Sequence, residues 1–466
     1  MNFITDEEQW AQRLFGGASL GDKRRTARLV RYAADQARHP DGSTVVASQG
    51  NKAATEGAYR MLRNDRIDAE HINASAFAYT AEQAPAYGLM LALEDTTTLS
   101  YYHRSLRDHL GDLGGKARSK RRGFFVHSIL LVDAQGPDVL GLIEQHYWVR
   151  RGRSKRGDRK RRPYRQKESF KWQRASEAMV QRLGSLMERV ISICDREADV
   201  YEYLSYKRLH QERFIVRAAW DRALASEGPY ARLWRYLQAQ PVAAERTVSL
   251  AQKRGRKARQ AQVKVRYGHI QLQPPDRAAT QRDQVLEPLW VYAVLAEESA
   301  PPEGEPALQW LLLSSEPARN GEEANQVLDY YSRRSEIESF HKAWKSGCAV
   351  EERRFQEAAN MQRMAVILAH IAVRLMQLQA LQSVPDQPCT CLLSSIEWHC
   401  LWQSVEGRSP PEHVPTIQWA YRAVARLGGW HDSKRTGRVG WPAMWRGWMR
   451  LQDRVEGWLL ATQYRE

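Results

Sequence analysis

The 466-residue chain carries 70 Lys and Arg against 54 Asp and Glu, a net charge of +16. An excess of this size points to a polyanionic partner, because neutralisation of phosphates by Lys and Arg dominates nucleic-acid affinity, and the length allows two or three domains. No membrane or secreted role is expected: the most apolar run, residues 364–373, is too short to span a bilayer and contains His370, residues 1–8 are acidic and lack a signal-peptide core, and five cysteines without a regular framework suggest a reducing cytoplasm.

Residues 1–70 read as helical. Within 20–36, Arg24, Arg28 and Arg31 fall at about 0°, 40° and 340° on a helical wheel and form one basic stripe. A solvated helix face is the bland alternative; in so basic a chain the single sign of the stripe favours phosphate contact.

Residues 71–219 read as mixed α/β. Strands are expected at 89–94, 124–132, 139–147, 189–194 and 213–217, with helices at 173–187 and 200–209. The first three strands follow one another closely, as an antiparallel meander would, and helices separate the later ones. The first and fourth strands lead into Asp95 and Asp195, the position where open α/β sheets place their sites. Taken singly, each of these aspartates reads as a turn or helix cap. Between them, residues 150–171 hold twelve Lys or Arg and read as a basic loop.

A β-rich insertion is expected at about 222–315, with strands at 247–250, 262–272, 289–296 and 309–314 and a basic hairpin tip at 253–259. Trp310 falls in the last of these strands and reads as strand core. Residues 331–345 then place Tyr331, Arg334, Glu338 and Lys345 at about 0°, 300°, 340° and 320°, with Glu336 near 140° on the far side. One acid flanked by two cations and a phenol suits a metal ion and a phosphate better than a core. Joined with Asp95 and Asp195, Glu338 completes a set of hard oxygen ligands suited to Mg²⁺, with Mn²⁺ as a substitute. Residues 371–466 read as helical, and Trp419, Trp430, Trp441, Trp445, Trp448 and Trp458 suggest a core or an interface.

The strings EDTTTLSY, CDREAD and YSRRSEIESFHKAWKSG together resemble the three catalytic blocks of bacterial cut-and-paste DDE transposases, in particular the insertion-sequence-four family with its Tyr-x2-Arg-x3-Glu-x6-Lys motif. LGDKRRTARLV, EGAYRMLRN, WLLLSSEP and AVARLGGWHDSKRTG extend the similarity nearly end to end. The resemblance implies an α/β fold: a ribonuclease-H-like catalytic core with an inserted β-subdomain, flanked by N-terminal and C-terminal helical domains. It divides the chain into an end-binding domain at 1–70, a catalytic domain at 71–370 with the insertion at 222–315, and a dimerisation domain at 371–466. It further implies that Asp95, Asp195 and Glu338 hold two Mg²⁺ ions per site and that the partners are double-stranded DNA and a second copy of the chain. Arg334 and Lys345 would contact phosphates, while Tyr331, Arg334, Trp310 and Arg217 would hold a displaced nucleotide. Ser335 and Glu336 depart from the pattern, removing an aromatic and adding an acid beside the DNA path. The alternatives are a non-catalytic end-binding derivative and a structure-selective nuclease of the same fold.

Overall fold

The computed structural model describes residues 6–106, 108–114, 121–150, 162–225, 228, 230–250, 258–275, 285–380, 382, 385–431, 433 and 439–463. Half of the basic loop at 150–171 and most of the basic tip at 253–259 therefore lie outside the described residues.

The chain opens with five helices, α1 (Glu7–Phe15), α2 (Lys23–Arg38), α3 (Thr44–Ala47), α4 (Lys52–Leu62) and α5 (Ala69–Gln83). Each begins on a Ser, Asp or Asn whose side chain accepts a backbone N–H of the first turn: Asp6, Asp22, Ser43, Asn51 and Asp68. Such caps satisfy donors that the helix itself leaves orphaned. The strands are β1 (Met90–Tyr101), β2 (Gly111–Asp112), β3 (Arg122–Asp133), β4 (Val139–Trp148), β5 (Val190–Cys194), β6 (Arg213–Arg217), β7 (Ala244–Leu250), β8 (Arg259–Leu272), β9 (Leu289–Glu298) and β10 (Gln309–Ser314). Helix α6 (Lys171–Leu183) precedes β5, α7 (Tyr201–Leu209) links β5 to β6, and α8 (Leu233–Gln238) precedes β7. After β10 come α9 (Gly321–Ser332), α10 (Ser335–Lys342), a π-helical turn (Ala343–Gly347), α11 (Ala358–Ala380), α12 (Ser395–Glu406), α13 (Ile417–Leu427) and α14 (Trp441–Gln463).

Among the described residues, ten strands form one mixed sheet in the order β2-β3-β1-β5-β6-β10-β9-β8-β7, with β4 pairing on β3. β3 is antiparallel to β1 and β4, while β5 is parallel to β1 and β6. The strands of the 222–315 segment are not set apart in a sheet of their own. β10 pairs antiparallel with β6, and β9, β8 and β7 continue outward from it.

β1 runs seven residues past the expected end at Glu94, because the β-branched Thr96, Thr97 and Thr98 fit a pleated strand. The parallel ladder with β5 nevertheless stops at the Glu94–Cys194 pair. Asp95 and Asp195 are thus the first residue of each chain segment beyond that ladder, side by side where the two strands part.

Helix α11 runs unbroken through residue 370 and is buried along most of its length, so the expected boundary at 370/371 falls inside a core helix. The N-terminal helices are fastened to it. Arg363 donates to the carbonyls of Leu62 at 2.8 Å and Ile67 at 2.6 Å. Arg374 pairs with Glu7 at 3.0 Å, and His370 meets Asn73 at 2.9 Å.

Under the sheet, the fully buried Lys207 ammonium on α7 donates to Ser192 on β5 at 2.9 Å, to Glu212 at 2.7 Å and to Ser176 on α6. The network fixes both helices against the strand that presents Asp195. Burial opposes the charge on Glu212, but Lys207 and the hydroxyl hydrogen bonds outweigh it and hold the carboxyl below its ordinary value. A depressed carboxylate stabilises the fold fully above its ordinary value of 4.5 and loses that contribution as pH falls through the lower folded value. Lys207→Met is expected to cost about 3–5 kcal/mol, since it strands a buried charge. Urea unfolding at neutral pH checks this, and Lys207→Met/Glu212→Leu should recover most of the loss; a single variant within about 1 kcal/mol of wild type would contradict the network's role.

Candidate active site

Three carboxylates from distant parts of the chain converge on one guanidinium. Arg334, in the turn between α9 and α10, places Nη2 3.6 Å from Asp195 Oδ2 and Nη1 3.9 Å from Asp95 Oδ2, and its Nη2 donates to Glu338 one helical turn on. Burial works against the Arg334 charge, but Asp195, Tyr331, Glu338 and Asp95 outweigh it and raise the guanidinium above its ordinary value. Burial raises the Asp95 carboxyl, against the pull of Arg334 and a hydrogen bond from the Thr96 backbone. Among the described residues, no group of three or more His, Cys, Asp and Glu is arranged to hold a metal ion; in the triad, Arg334 lies among the carboxylates.

The expected single helix over 331–345 is broken into three pieces. α9 ends at Ser332, α10 starts at Ser335, and the π-helical turn takes over at Ala343. Tyr331, Arg334 and Glu338 still face the aspartates. Tyr331 is buried and its hydroxyl reaches Asp195 Oδ1 at 3.4 Å; burial, then the Asp195 charge, raises its phenol pKa and keeps it a donor. Trp310 packs edge-on against Tyr331, with ring centroids 5.2 Å apart. Arg217, at the end of β6, brings Nη1 to 3.9 Å from Asp195 Oδ1 while Nη2 donates to the Gln309 carbonyl at 2.8 Å. Lys345 lies in the π-helical turn, where burial lowers its pKa, and Glu351 and Asp95 are within electrostatic reach.

The neighbouring acids separate cleanly by role. Glu94 is fully buried on the opposite face of β1, 3.6 Å from the His127 imidazole. Glu197 is exposed and pairs with Lys171 at 3.1 Å. Glu336 pairs with Arg333, so this acid is already compensated on the far side of the helix, and Ser335 is exposed.

His341 went unremarked in the sequence. Its Nδ1 is 3.7 Å from Asp95 Oδ2, and burial, with Lys345 adding, drives its pKa down to about 3, so it stands neutral beside the acid. The wheel that found Glu338 puts His341 at about 280°, on the same face.

On the N-terminal helices, Arg24 is exposed and Arg28 half-buried. Arg28 lies across Gly57 of α4, where a Cβ would come within 2.6 Å of the guanidinium carbon; glycine permits that close crossing. Arg31 is exposed but pairs with Asp35 at 3.2 Å and Glu8 at 3.9 Å, so the expected stripe is partly neutralised at its C-terminal end. Among the described residues, no helix is long and apolar enough to cross a membrane. Residues 7–67, which span α1 to α4, match the family model described as transposase DNA-binding, which gives this segment a DNA-binding role.

Proposed function

We propose that the chain is a DNA transposase that cleaves at transposon ends, passes through a hairpin intermediate and joins the freed 3′ end to target DNA, with Asp95, Asp195 and Glu338 as its catalytic acids. The observation that carries this reading is the convergence of those three acids, from two adjacent strands and a helix, on Arg334. The DNA-binding domain supplies the substrate class. The strand order β4-β3-β1-β5-β6, antiparallel on one side of β1 and parallel on the other, supports a ribonuclease-H-like core, with β7 to β10 as its insertion. Exposed Trp458, Leu459 and Leu460 near the end of α14 support a C-terminal surface for pairing two copies in the synaptic complex. The setting in which such ends occur is the bacterial cytoplasm, at the nucleoid.

By chemistry the three carboxylates are the hard oxygen donors that Mg²⁺ or Mn²⁺ takes, and two ions would enter between them once Arg334, which now lies among them, turns away. When bound, the ions would polarise the scissile phosphate and the attacking hydroxyl. Arg334 would exchange its carboxylate contacts for a DNA phosphate, and Lys345 would add a second cation beside it. Neutral His341 would orient Asp95. Tyr331, Trp310 and Arg217 form one wall next to Asp195 and would hold a nucleotide displaced from the duplex.

The test uses duplexes bearing the ends of the native element with Mg²⁺ and a supercoiled target, resolved on a denaturing gel. Nicked, hairpin and joined strands are the expected products. End-specific binding with no cleavage would overturn the catalytic reading and leave a DNA-end-binding derivative. Neutralising Arg24 and Arg28 to Ala is expected to reduce the slope of log affinity against log salt by about 2, whereas Arg31→Ala, whose charge is already paired, should change it less. An unchanged slope in the double variant would remove α2 from the DNA contact.

A further inference from the structure

Asp199, four residues beyond Asp195, is fully buried and ties two loops together. Its Oδ2 accepts the backbone N–H of Ala219 at 2.7 Å and of Trp220 at 3.1 Å, and its Oδ1 accepts Arg222 Nε at 2.8 Å. Arg222 also donates to the Asp199 carbonyl at 3.0 Å and lies over the Tyr201 ring. On the other side, Ala218 N–H donates to the Leu311 carbonyl at 2.7 Å, and Asp221 accepts Trp234 N–H at 3.0 Å. Residues 218–222 are therefore held at nearly every position, and yet Trp220 is 66 % exposed.

A tryptophan whose backbone is tied down and whose ring stands in water leaves a large apolar face unburied within the folded chain. Its location points to what covers that face. β5 and β6 are parallel, so the loops after Cys194 and Arg217 leave the sheet at the same edge, where ligands of open α/β sheets bind. Trp220 is three residues from Arg217 and so at most about 11 Å from it along the chain, and Arg217 approaches Asp195. Exposed Arg196 stands in the turn that Asp199 closes. An aromatic plane and a cation on two locked loops match a nucleobase and its phosphate.

We infer that Trp220 is a stacking platform for an unpaired or terminal nucleobase of the DNA at the mouth of the site, held in place by the Asp199–Arg222 clamp. This inference rests on the proposed function for its substrate class. A base offers its face only where it is unpaired or ends a stack, so the platform selects opened ends over intact duplex.

The test measures binding, without divalent metal, of end duplexes that are blunt or carry a short single-stranded extension. Trp220→Ala is expected to weaken binding of the extended duplex by about 5- to 100-fold and of the blunt duplex by less than about 2-fold, and Trp220→Phe should retain most of the preference. Equal binding of both duplexes by wild type and Trp220→Ala, or equal weakening of both, would overturn the inference. Because no cleavage is needed, the arms separate two failures: wild type that prefers extended ends but never cuts removes the catalytic reading alone, whereas an unaltered Trp220→Ala beside a cutting wild type removes the platform alone.

Discussion

Asp195→Asn is expected to lower end cleavage by more than about 10³-fold, while leaving end binding within about 3-fold of wild type. The asymmetry follows from where the residue stands. Asp195 is the first residue past the parallel ladder, half-exposed, and touched by Arg334, Tyr331 and Arg217. It closes no helix through its side chain and buries no core, so the substitution should leave the fold intact. Asp95→Asn and Glu338→Gln belong to the same expectation. Cleavage rates and equilibrium binding on the same end duplex check it, and near-normal cleavage in any one variant would refute the assignment of that residue.

Arg334→Ala should act on both stability and chemistry. In the DNA-free protein, Arg334 is the cation shared by all three acids, and its removal leaves like charges facing one another. Coulomb repulsion at these separations in a partly exposed site is worth on the order of 1–2 kcal/mol, so the urea midpoint should fall and added Mg²⁺ should restore it more than in wild type. With DNA bound, the same variant would lack the proposed phosphate contact and should cleave about 10²–10³-fold more slowly. Arg334→Lys keeps the charge but loses the forked geometry, and should recover stability better than rate. A variant that cleaves like wild type would place Arg334 outside the reaction.

Much of the sheet was legible because its strands carry their own local signal. Residues 213–217 and 309–314 have the bounds that their apolar runs suggest. β1 was read short because a Thr run serves equally as a turn or as β-branched strand. The merger of the 222–315 strands with the central sheet was not legible, since the β6–β10 pairing joins segments far apart in sequence and strand periodicity carries no register between them. The three acids were legible only as a set. Asp199 shares its motif with Asp195, and nothing in the spelling separates an aspartate that faces the site from one that accepts backbone N–H groups. His341 shares the wheel face of Glu338, but its approach to Asp95 depends on the packing of α10 against β1, which a wheel does not carry. The pairing of Arg31 with Asp35 follows the i,i+4 rule, whereas its contact with Glu8 needed the packing of α1 on α2.

Asp95, Asp195 and Glu338 are expected to hold metal as one site. Mn²⁺ binding to the protein–end-DNA complex, followed by electron paramagnetic resonance, tests it without relying on turnover. The expected result is tight Mn²⁺ binding in wild type that weakens by about 10-fold or more in each of Asp95→Asn, Asp195→Asn and Glu338→Gln, because each removes a charged oxygen ligand. Undiminished Mn²⁺ binding in any of the three folded variants would contradict the shared site.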